Sequence, residues 1–250
     1  MKIFIKHSPN FEERKKRHIK YIILHYTNLP STQASLKYLL NKRNKVSAHY
    51  LIDPNGKILS LVEEKNIAWH AGISSWKKDK NLNKNSIGIE LQNTGVAGKY
   101  EKFNVKQIAA LEKLIKDIQM RHGVSNSNIL GHSDIAPDRK IDPGPKFPWK
   151  KLYNKGIGIM PKALPPKHTQ NITPKEIKNL QSLLREFGYK LKINSFMDKQ
   201  TLLVLYAFQS HYCASDLKIR NNNLNLSQYL KELIKAQSRS LTVKKFNNKL

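Results

Sequence analysis

The chain has 250 residues, with 45 Lys+Arg against 18 Asp+Glu and a formal net charge of +27. That length accommodates a core of about 150 residues and a small second domain. Its one cysteine, Cys213, excludes an internal disulfide within a monomer, and no run of about eighteen apolar residues offers a membrane span.

The first ten residues, Met-Lys-Ile-Phe-Ile-Lys-His-Ser-Pro-Asn, lack the apolar run of a signal peptide and hold no lipidated cysteine. The expected compartment is therefore the cytoplasm, with the periplasm or cell envelope as the alternative. Tyr21-Ile-Ile-Leu-His25-Tyr-Thr follows, a β-branched and apolar run bounded by polar residues, which reads as a buried strand ending in a histidine. A helix starts after Pro30, capped by Ser31 or Thr32. Further strands are expected at roughly 48–53, 58–62 and 86–92, the first entering a hairpin at Asp53-Pro-Asn-Gly56. The strand at 86–92 carries Glu90 where an apolar residue is expected. A Glu inside a buried strand is costly unless it is paired or lies near a metal. Asn104 to His122 is the clearest helix, with Ile108, Leu111, Ile115 and Ile118 on one face and Gly123 as its stop. Strands covered by such helices predict a mixed α/β fold with a central β-sheet.

The segment from His132 to Trp149 concentrates a histidine, three aspartates, an arginine and two lysines among Pro137, Pro143, Pro145 and Pro148, which keep it from being a helix. Such a loop is a rigid platform for polar chemistry. His132 and Asp142 are a nitrogen and an oxygen ligand of the kind Zn²⁺ accepts. The bland alternative is a surface loop with a salt bridge or two.

After Trp149 the texture changes. Residues 154–172 carry Gly156, Gly158, Pro161, Pro165 and Pro166 and read as a linker. Thr173-Pro-Lys-Glu176 forms a capping box ahead of a helix with Leu180, Leu183, Leu184 and Phe187 on its apolar face and Gly188 at its end. A second helix starts near Asp198, and a third covers about 226–236. Residues 238–250 read as a mobile basic tail. The division is thus a catalytic domain at 1–153, a linker at 154–172, a three-helix domain at 173–237 and the tail. On this reading a fragment of residues 1–160 folds and keeps its chemistry. Cys213 falls in an apolar helical stretch and reads as core.

Six blocks in order carry a resemblance: Ile-Ile-Leu-His25-Tyr-Thr, Ser47-Ala-His-Tyr-Leu-Ile-Asp53, Ala68-Trp-His-Ala-Gly72, Ser86-Ile-Gly-Ile-Glu-Leu-Gln-Asn93, Gly131-His-Ser-Asp-Ile-Ala-Pro137 and Arg139-Lys-Ile-Asp-Pro-Gly144. Together they resemble the zinc-dependent N-acetylmuramoyl-L-alanine amidases of the peptidoglycan-recognition type. The resemblance implies His25, His132 and Asp142 as zinc ligands, Glu90 as the catalytic carboxylate and Lys140 as an electrophilic helper. It places Trp69 and His70 along the substrate groove, the alternative being a half-buried Trp–His pair in a loop. His49 is either a fourth ligand or a packing residue beside the site, and His7, His18, His122, His168 and His211 show no partner pattern. The C-terminal half resembles a small three-helix peptidoglycan-binding domain through Leu180-Gln-Ser-Leu-Leu-Arg-Glu-Phe-Gly-Tyr189, Asp198, Thr201 and Ala207-Phe-Gln209. Its interhelix loop, Lys192-Ile-Asn-Ser-Phe-Met, lacks the usual glycine.

The chemistry fits the residues. Three protein ligands leave tetrahedral Zn²⁺ one open position, and Zn²⁺ brings the pKa of a bound water to about 7. Glu90 can move the water proton to the leaving amine, while Zn²⁺ and Lys140 stabilise an oxyanion. In an extended segment Lys140 and Asp142 share a face. The implied reaction is hydrolysis of the amide between N-acetylmuramic acid, or its 1,6-anhydro form, and L-alanine of the stem peptide, in wall turnover or recycling. Peptidoglycan or soluble muropeptides are the expected partners, and the sequence leaves the oligomeric state open. A catalytically impaired wall-binding protein is one alternative, and the intact His25, His132, Asp142 and Glu90 set argues against it. A basic nucleic-acid-binding protein is another. Its only support is charge, which also suits a polyanionic wall or a Lys-, Asn- and Ile-rich codon usage; no zinc-finger, RNA-recognition or homeodomain pattern is present, so no specific nucleic acid is expected.

Overall fold

The computed structural model describes residues 1–15, 18–161, 172–213 and 226–247, with side chains to residue 240. Among the described residues ten strands occur in chain order: β1 (Ile3–Ile5), β2 (Phe11–Glu13), β3 (Tyr21–Tyr26), β4 (Tyr50–Ile52), β5 (Ile58–Ser60), β6 (Asn66–Ala68), β7 (Ser75–Trp76), β8 (Asp79–Lys80), β9 (Ser86–Leu91) and β10 (Ile129–Gly131). The helices are α1 (Thr32–Leu39), α2 (Val105–His122), α3 (His132–Ile135), α4 (Trp149–Tyr153), α5 (Pro174–Phe187), α6 (Lys199–Tyr212) and α7 (Leu226–Asn247).

Six strands form one mixed sheet in the order β1-β5-β4-β9-β3-β10. The pairs β4–β9, β9–β3 and β3–β10 are parallel, while β4 and β5 form the antiparallel hairpin expected at Asp53-Pro-Asn-Gly56. Gly56 sits there at φ 84°, and its amide donates to the Asp53 carbonyl at 3.0 Å. That left-handed position strains any residue with a Cβ. The short pairs β2–β6 and β7–β8 stand outside the main sheet; the sequence reading passed over them, because two- and three-residue strands show no usable alternation.

Side-chain alternation divides the sheet into two faces. Ile22 and Leu24 of β3, with Ile87, Ile89 and Leu91 of β9, pack under α2 through Ile108, Leu111, Ile115 and Ile118. α2 is capped as the sequence suggests: the Asn104 side chain accepts from Lys106 N, and Gly123 closes the helix. The opposite face presents Tyr21, Ile23 and Leu130 on one side and Leu51, Leu59 and Leu61 packed on α1 on the other. His25 has the same parity as Ile23, and Glu90 is paired with His25 across β3 and β9, so both project to this face.

The C-terminal helices complete that face. α5 begins at the capping box of Thr173 and Glu176, and α6 at Asp198, whose side chain accepts from Thr201 N. Leu180, Leu184, Phe187, Tyr189, Val204 and Phe208 share one cluster with Tyr21, Ile23, Trp76, Leu82, Leu130 and Ile135. Trp76 is fully buried and meets Phe187 and Tyr189 edge-on, with ring centroids 5.7 and 4.9 Å away. The apolar faces of α5 and α6, readable as amphipathic in the sequence, are therefore buried against the sheet as well as against each other.

Two boundaries differ from the sequence reading. α7 continues to Asn247, so residues 238–247, read as a tail, extend the third helix; residues 248–250 lie outside the described residues. Of the linker at 154–172, residues 162–171 lie outside the described residues, as does His168, while Ile157 is buried in the α2-side core. The proline-rich segment also contains helix: His132–Ile135 forms one turn before Pro137, and Trp149–Tyr153 another after Pro148. The prolines limit these helices to single turns rather than abolish them.

Removing residues 162–250 should expose Trp76, Leu130, Ile135 and their neighbours. Each fully buried side chain of that size contributes about 1.5–3 kcal/mol. The fragment of residues 1–161 is expected to be insoluble or to melt well below the full chain, as followed by circular dichroism on heating. An unchanged melting temperature would show that the helices contribute nothing to this core.

Candidate metal centre

The register of the sheet brings the chemistry together. Leu51 of β4, Glu90 of β9 and His25 of β3 lie in one row across three strands. Gly131 of β10 pairs with Leu24, so His132, the next residue, continues the row beside His25. All these positions lie at the carboxyl ends of neighbouring parallel strands, where open α/β sheets place their ligands. The loop after α3 then returns Asp142 to the same point.

Three atoms converge there. His25 Nδ1, His132 Nδ1 and Asp142 Oδ2 form a triangle with every edge 3.0 Å. The three residues are buried, and they form a group able to hold a metal ion. His132 Nε2 lies 3.2 Å from the Ala71 carbonyl oxygen. A carbonyl can only accept, so Nε2 carries the hydrogen and Nδ1 is left to face Asp142.

Burial lowers His25 to about 4, with the positive charges of His132 and Lys140 pushing the same way and the Asp142 hydrogen bond opposing. Burial alone would raise Asp142; the adjacent His132 and His25 overcome this and hold it well below the usual carboxylate range. A neutral imidazole and an ionised carboxylate are the ligand forms a metal requires.

Glu90 stands beside this triangle. Its Oε2 is buried and makes no hydrogen bond among the described residues. Burial raises the carboxyl to about 8, the Asp142 carboxylate adds to the rise, and the Lys140 ammonium opposes it. Lys140 is half-buried, and its charge acts on both Glu90 and His25. It sits in a turn rather than an extended strand, its amide donating to the Ala136 carbonyl at 3.0 Å. The turn still brings Lys140 to the site.

The remaining histidines have other tasks. His49 is fully buried; its Nδ1 accepts from Gly88 N at 3.0 Å and its Nε2 reaches the Asn66 carbonyl at 3.2 Å. Both nitrogens are engaged away from the triangle. His70, expected along an open groove, is buried behind His25, its Nδ1 3.1 Å from His25 Nε2. Trp69 is partly exposed, its Nε1 donating to Glu12 at 2.9 Å.

Several supporting residues escaped the sequence reading. Arg139 donates to the Ala71 and Ile73 carbonyls, tying the loop after β6 to the loop after α3. Asp134, two residues from His132, accepts from Gly131 N at 2.7 Å, Tyr189 Oη at 2.6 Å and His211 Nδ1 at 2.6 Å. His211 also stacks on Trp149 at 3.5 Å. Tyr189 and His211 come from the C-terminal helical segment, so that segment grips the turn that carries His132. Asp134 was visible only as one more acid in a charged loop.

Residues 15–145 match the N-acetylmuramoyl-L-alanine amidase family. The chain belongs to this family. The amidase is 41% identical over 216 residues to the N-acetylmuramoyl-L-alanine amidase AmiD of Escherichia coli (strain K12), covering 78% of this chain and 75% of that protein. It is 32% identical over 166 residues to the 1,6-anhydro-N-acetylmuramyl-L-alanine amidase AmpD of Haemophilus influenzae, over 59% of this chain and 88% of that one. A solved structure of the Escherichia coli AmiD with the substrate anhydro-N-acetylmuramic acid-L-Ala-D-gamma-Glu-L-Lys superposes with a TM-score of 0.74 at 36% identity, covering 88% of this chain and 90% of that chain. Among the described residues of the amidase, no helix is long and apolar enough to cross a membrane.

The shift on Glu90 gives the metal-free amidase a pH signature. An unfolded Glu titrates near 4.5, while the folded group holds its proton to about 8. Between those values the folded state binds more protons, so stability is full below about 4.5 and falls as pH rises through about 8. Buried His25, His49 and His70 are held below the usual histidine range and titrate with the opposite sign, so the Glu90 contribution is read as a difference: in denaturant unfolding of metal-free protein, stability relative to Glu90→Gln should fall as pH rises from about 4.5 to about 8. A profile unaffected by the substitution would mean that Glu90 is not buried beside Asp142.

Proposed function

We propose that His25, His132 and Asp142 hold Zn²⁺ and that the amidase hydrolyses the bond between N-acetylmuramic acid, including its 1,6-anhydro form, and L-alanine. The single observation carrying this reading is the 3.0 Å triangle of two imidazole nitrogens and a carboxylate oxygen. Two nitrogens and an oxygen in a buried wall fit the donor preference of Zn²⁺ and leave it a coordination position for substrate or water. The anhydro-muropeptide is supported by the solved AmiD complex and by the likeness to the 1,6-anhydro-N-acetylmuramyl-L-alanine amidase of Haemophilus influenzae.

When bound, Zn²⁺ acidifies water and polarises the scissile carbonyl. The chain's own residues do the rest. Glu90, with its unpartnered Oε2 beside the ligand triangle, takes the proton of the attacking water and returns it to the leaving amine of L-alanine. The Lys140 ammonium favours the ionised form of Glu90 that the first of these transfers needs. Lys140 brings a fixed positive charge to the oxyanion that develops as the carbonyl becomes tetrahedral. Trp69 offers an indole at the edge of the site for the sugar or peptide to lie against. Residues 1–153 carry all of these groups. Residues 173–237 are read as a peptidoglycan-binding-like helical unit, which the shared core fixes to the catalytic face.

The purified protein should contain about one zinc per chain. Chelation should abolish release of the L-Ala peptide from soluble anhydro-muropeptide, as followed by mass analysis, and added zinc should restore it. Full turnover by metal-free protein would sink the zinc assignment. Glu90→Ala should keep its zinc and lose at least about 10²-fold in kcat, the usual effect of losing a general base. Release of zinc from that variant would make Glu90 a ligand instead.

A further inference from the structure

A chain of hydrogen bonds runs from the ligand triangle into the core. His25 Nε2 lies 3.1 Å from His70 Nδ1, His70 Nε2 lies 3.1 Å from Ser86 Oγ, and Ser86 Oγ donates to the Leu82 carbonyl at 2.5 Å. His25, His70 and Ser86 are all buried. The direction of the chain follows from its inner end. A carbonyl oxygen only accepts, so the Ser86 hydroxyl must donate to Leu82. Ser86 Oγ then accepts from His70 Nε2–H, His70 Nδ1 is bare, and it accepts from His25 Nε2–H. Reversing the chain would set the Leu82 carbonyl against a hydroxyl oxygen at 2.5 Å with no hydrogen between them.

We propose that His70 is a positioning residue: through Ser86 and the Leu82 carbonyl it fixes the tautomer of His25, so that Nδ1 faces His132 and Asp142 as a bare lone pair before any metal arrives. Metal-ligating histidines are commonly oriented by a partner on the other ring nitrogen. Here that partner is a second imidazole, whose own tautomer is set one step deeper in the core. With His132 oriented by the Ala71 carbonyl, the triangle becomes three acceptors facing one another with no hydrogen between them. Such a group is completed only by a cation.

The fold builds a seat for this residue. The His70 and Ala71 amides both donate to Asn83 Oδ1, at 3.0 and 2.7 Å. The ring lies flush against Gly88 of β9, where a Cβ would come within 2.3 Å of the imidazole Cγ. A glycine in the middle of a buried strand marks such a close approach. Gly88 thus admits the His70 ring to the back of His25.

The zinc arm of the test rests on the proposed zinc site; the tautomer arm does not. Long-range ¹H–¹⁵N correlation on the metal-free, full-length chain labelled at histidine reads the tautomer directly. His25 is expected as the Nε2–H form, with Nδ1 at the shift of a bare nitrogen. A proton on His25 Nδ1 in the unsubstituted protein would overturn the proposal. In His70→Leu the preference should be lost, and the zinc dissociation constant, measured by chelator competition, should rise by about 10- to 100-fold. KM for soluble muropeptide should hold, because the His70 ring is buried behind His25. His70→Gln, which can accept from His25 and donate to Ser86, should restore most of the affinity. Ser86→Ala leaves the His70 ring in place and removes only its orienting acceptor, so a smaller loss of about 10-fold is expected even where His70→Leu does not fold. A folded His70→Leu with unchanged tautomer and unchanged zinc affinity would overturn the proposal. An unsubstituted chain that binds no zinc would refute the zinc site while leaving the tautomer measurement to decide the role of His70.

Discussion

Two imidazole nitrogens and a carboxylate oxygen held 3.0 Å apart repel one another unless a cation joins them. That repulsion is the constraint on which the rest of the molecule depends, because something must hold the three groups together before the metal does. The carboxyl ends of β3 and β10 are the first restraint, since parallel pairing sets His25 and His132 side by side at backbone precision. The second is the back of each imidazole: His25 leans on His70, and His132 on the Ala71 carbonyl. Burial keeps water from relieving the strain by solvating the groups separately.

The C-terminal helices take their meaning from this constraint. Their apolar faces close over Trp76, Leu130 and Ile135, and Tyr189 and His211 reach through that core to the Asp134 carboxylate. Asp134 lies in the same helical turn as His132. A buried carboxylate with three donors is stiff, and removing one donor leaves a costly unsatisfied oxygen. The segment that resembles a wall-binding module therefore serves as a wall of the candidate metal centre.

Much of this was legible in the residues. β3 and β9 were visible because continuous β-branched runs mark buried parallel strands, and Glu90 stood out because a carboxylate in such a run needs a reason. α2 showed its caps and its stripe, and His25, His132 and Asp142, singled out by the resemblance of the ordered blocks, converge on one point. What stayed hidden depended on contacts across sequence distance. His70 looked like a groove residue because its neighbour Trp69 is aromatic and partly exposed. Gly88 carried the missing signal, a glycine where a strand has no turn to make, but what approaches it is set by tertiary packing. Asp134, Tyr189 and His211 are 55 and 77 residues apart along the chain, and no local pattern links them. The fusion of the two segments was obscured by linker composition at 154–172, which reports local stiffness and says nothing about the apolar faces on either side. The length of α7 was missed because Lys- and Ser-rich sequence supports helix and tail equally well.

The central claim is that the triangle of His25, His132 and Asp142 is a metal centre, with Glu90 and His70 beside it and not within it. Anomalous scattering from crystals of the zinc-loaded protein, recorded on both sides of the zinc edge, tests this most directly. The account predicts one peak per chain, bonded to His25 Nδ1, His132 Nδ1 and Asp142 Oδ2, with His25 Nε2 still directed at His70. A peak bonded to Glu90 or His70, or no peak between the three ligand atoms in catalytically active crystals, would contradict it.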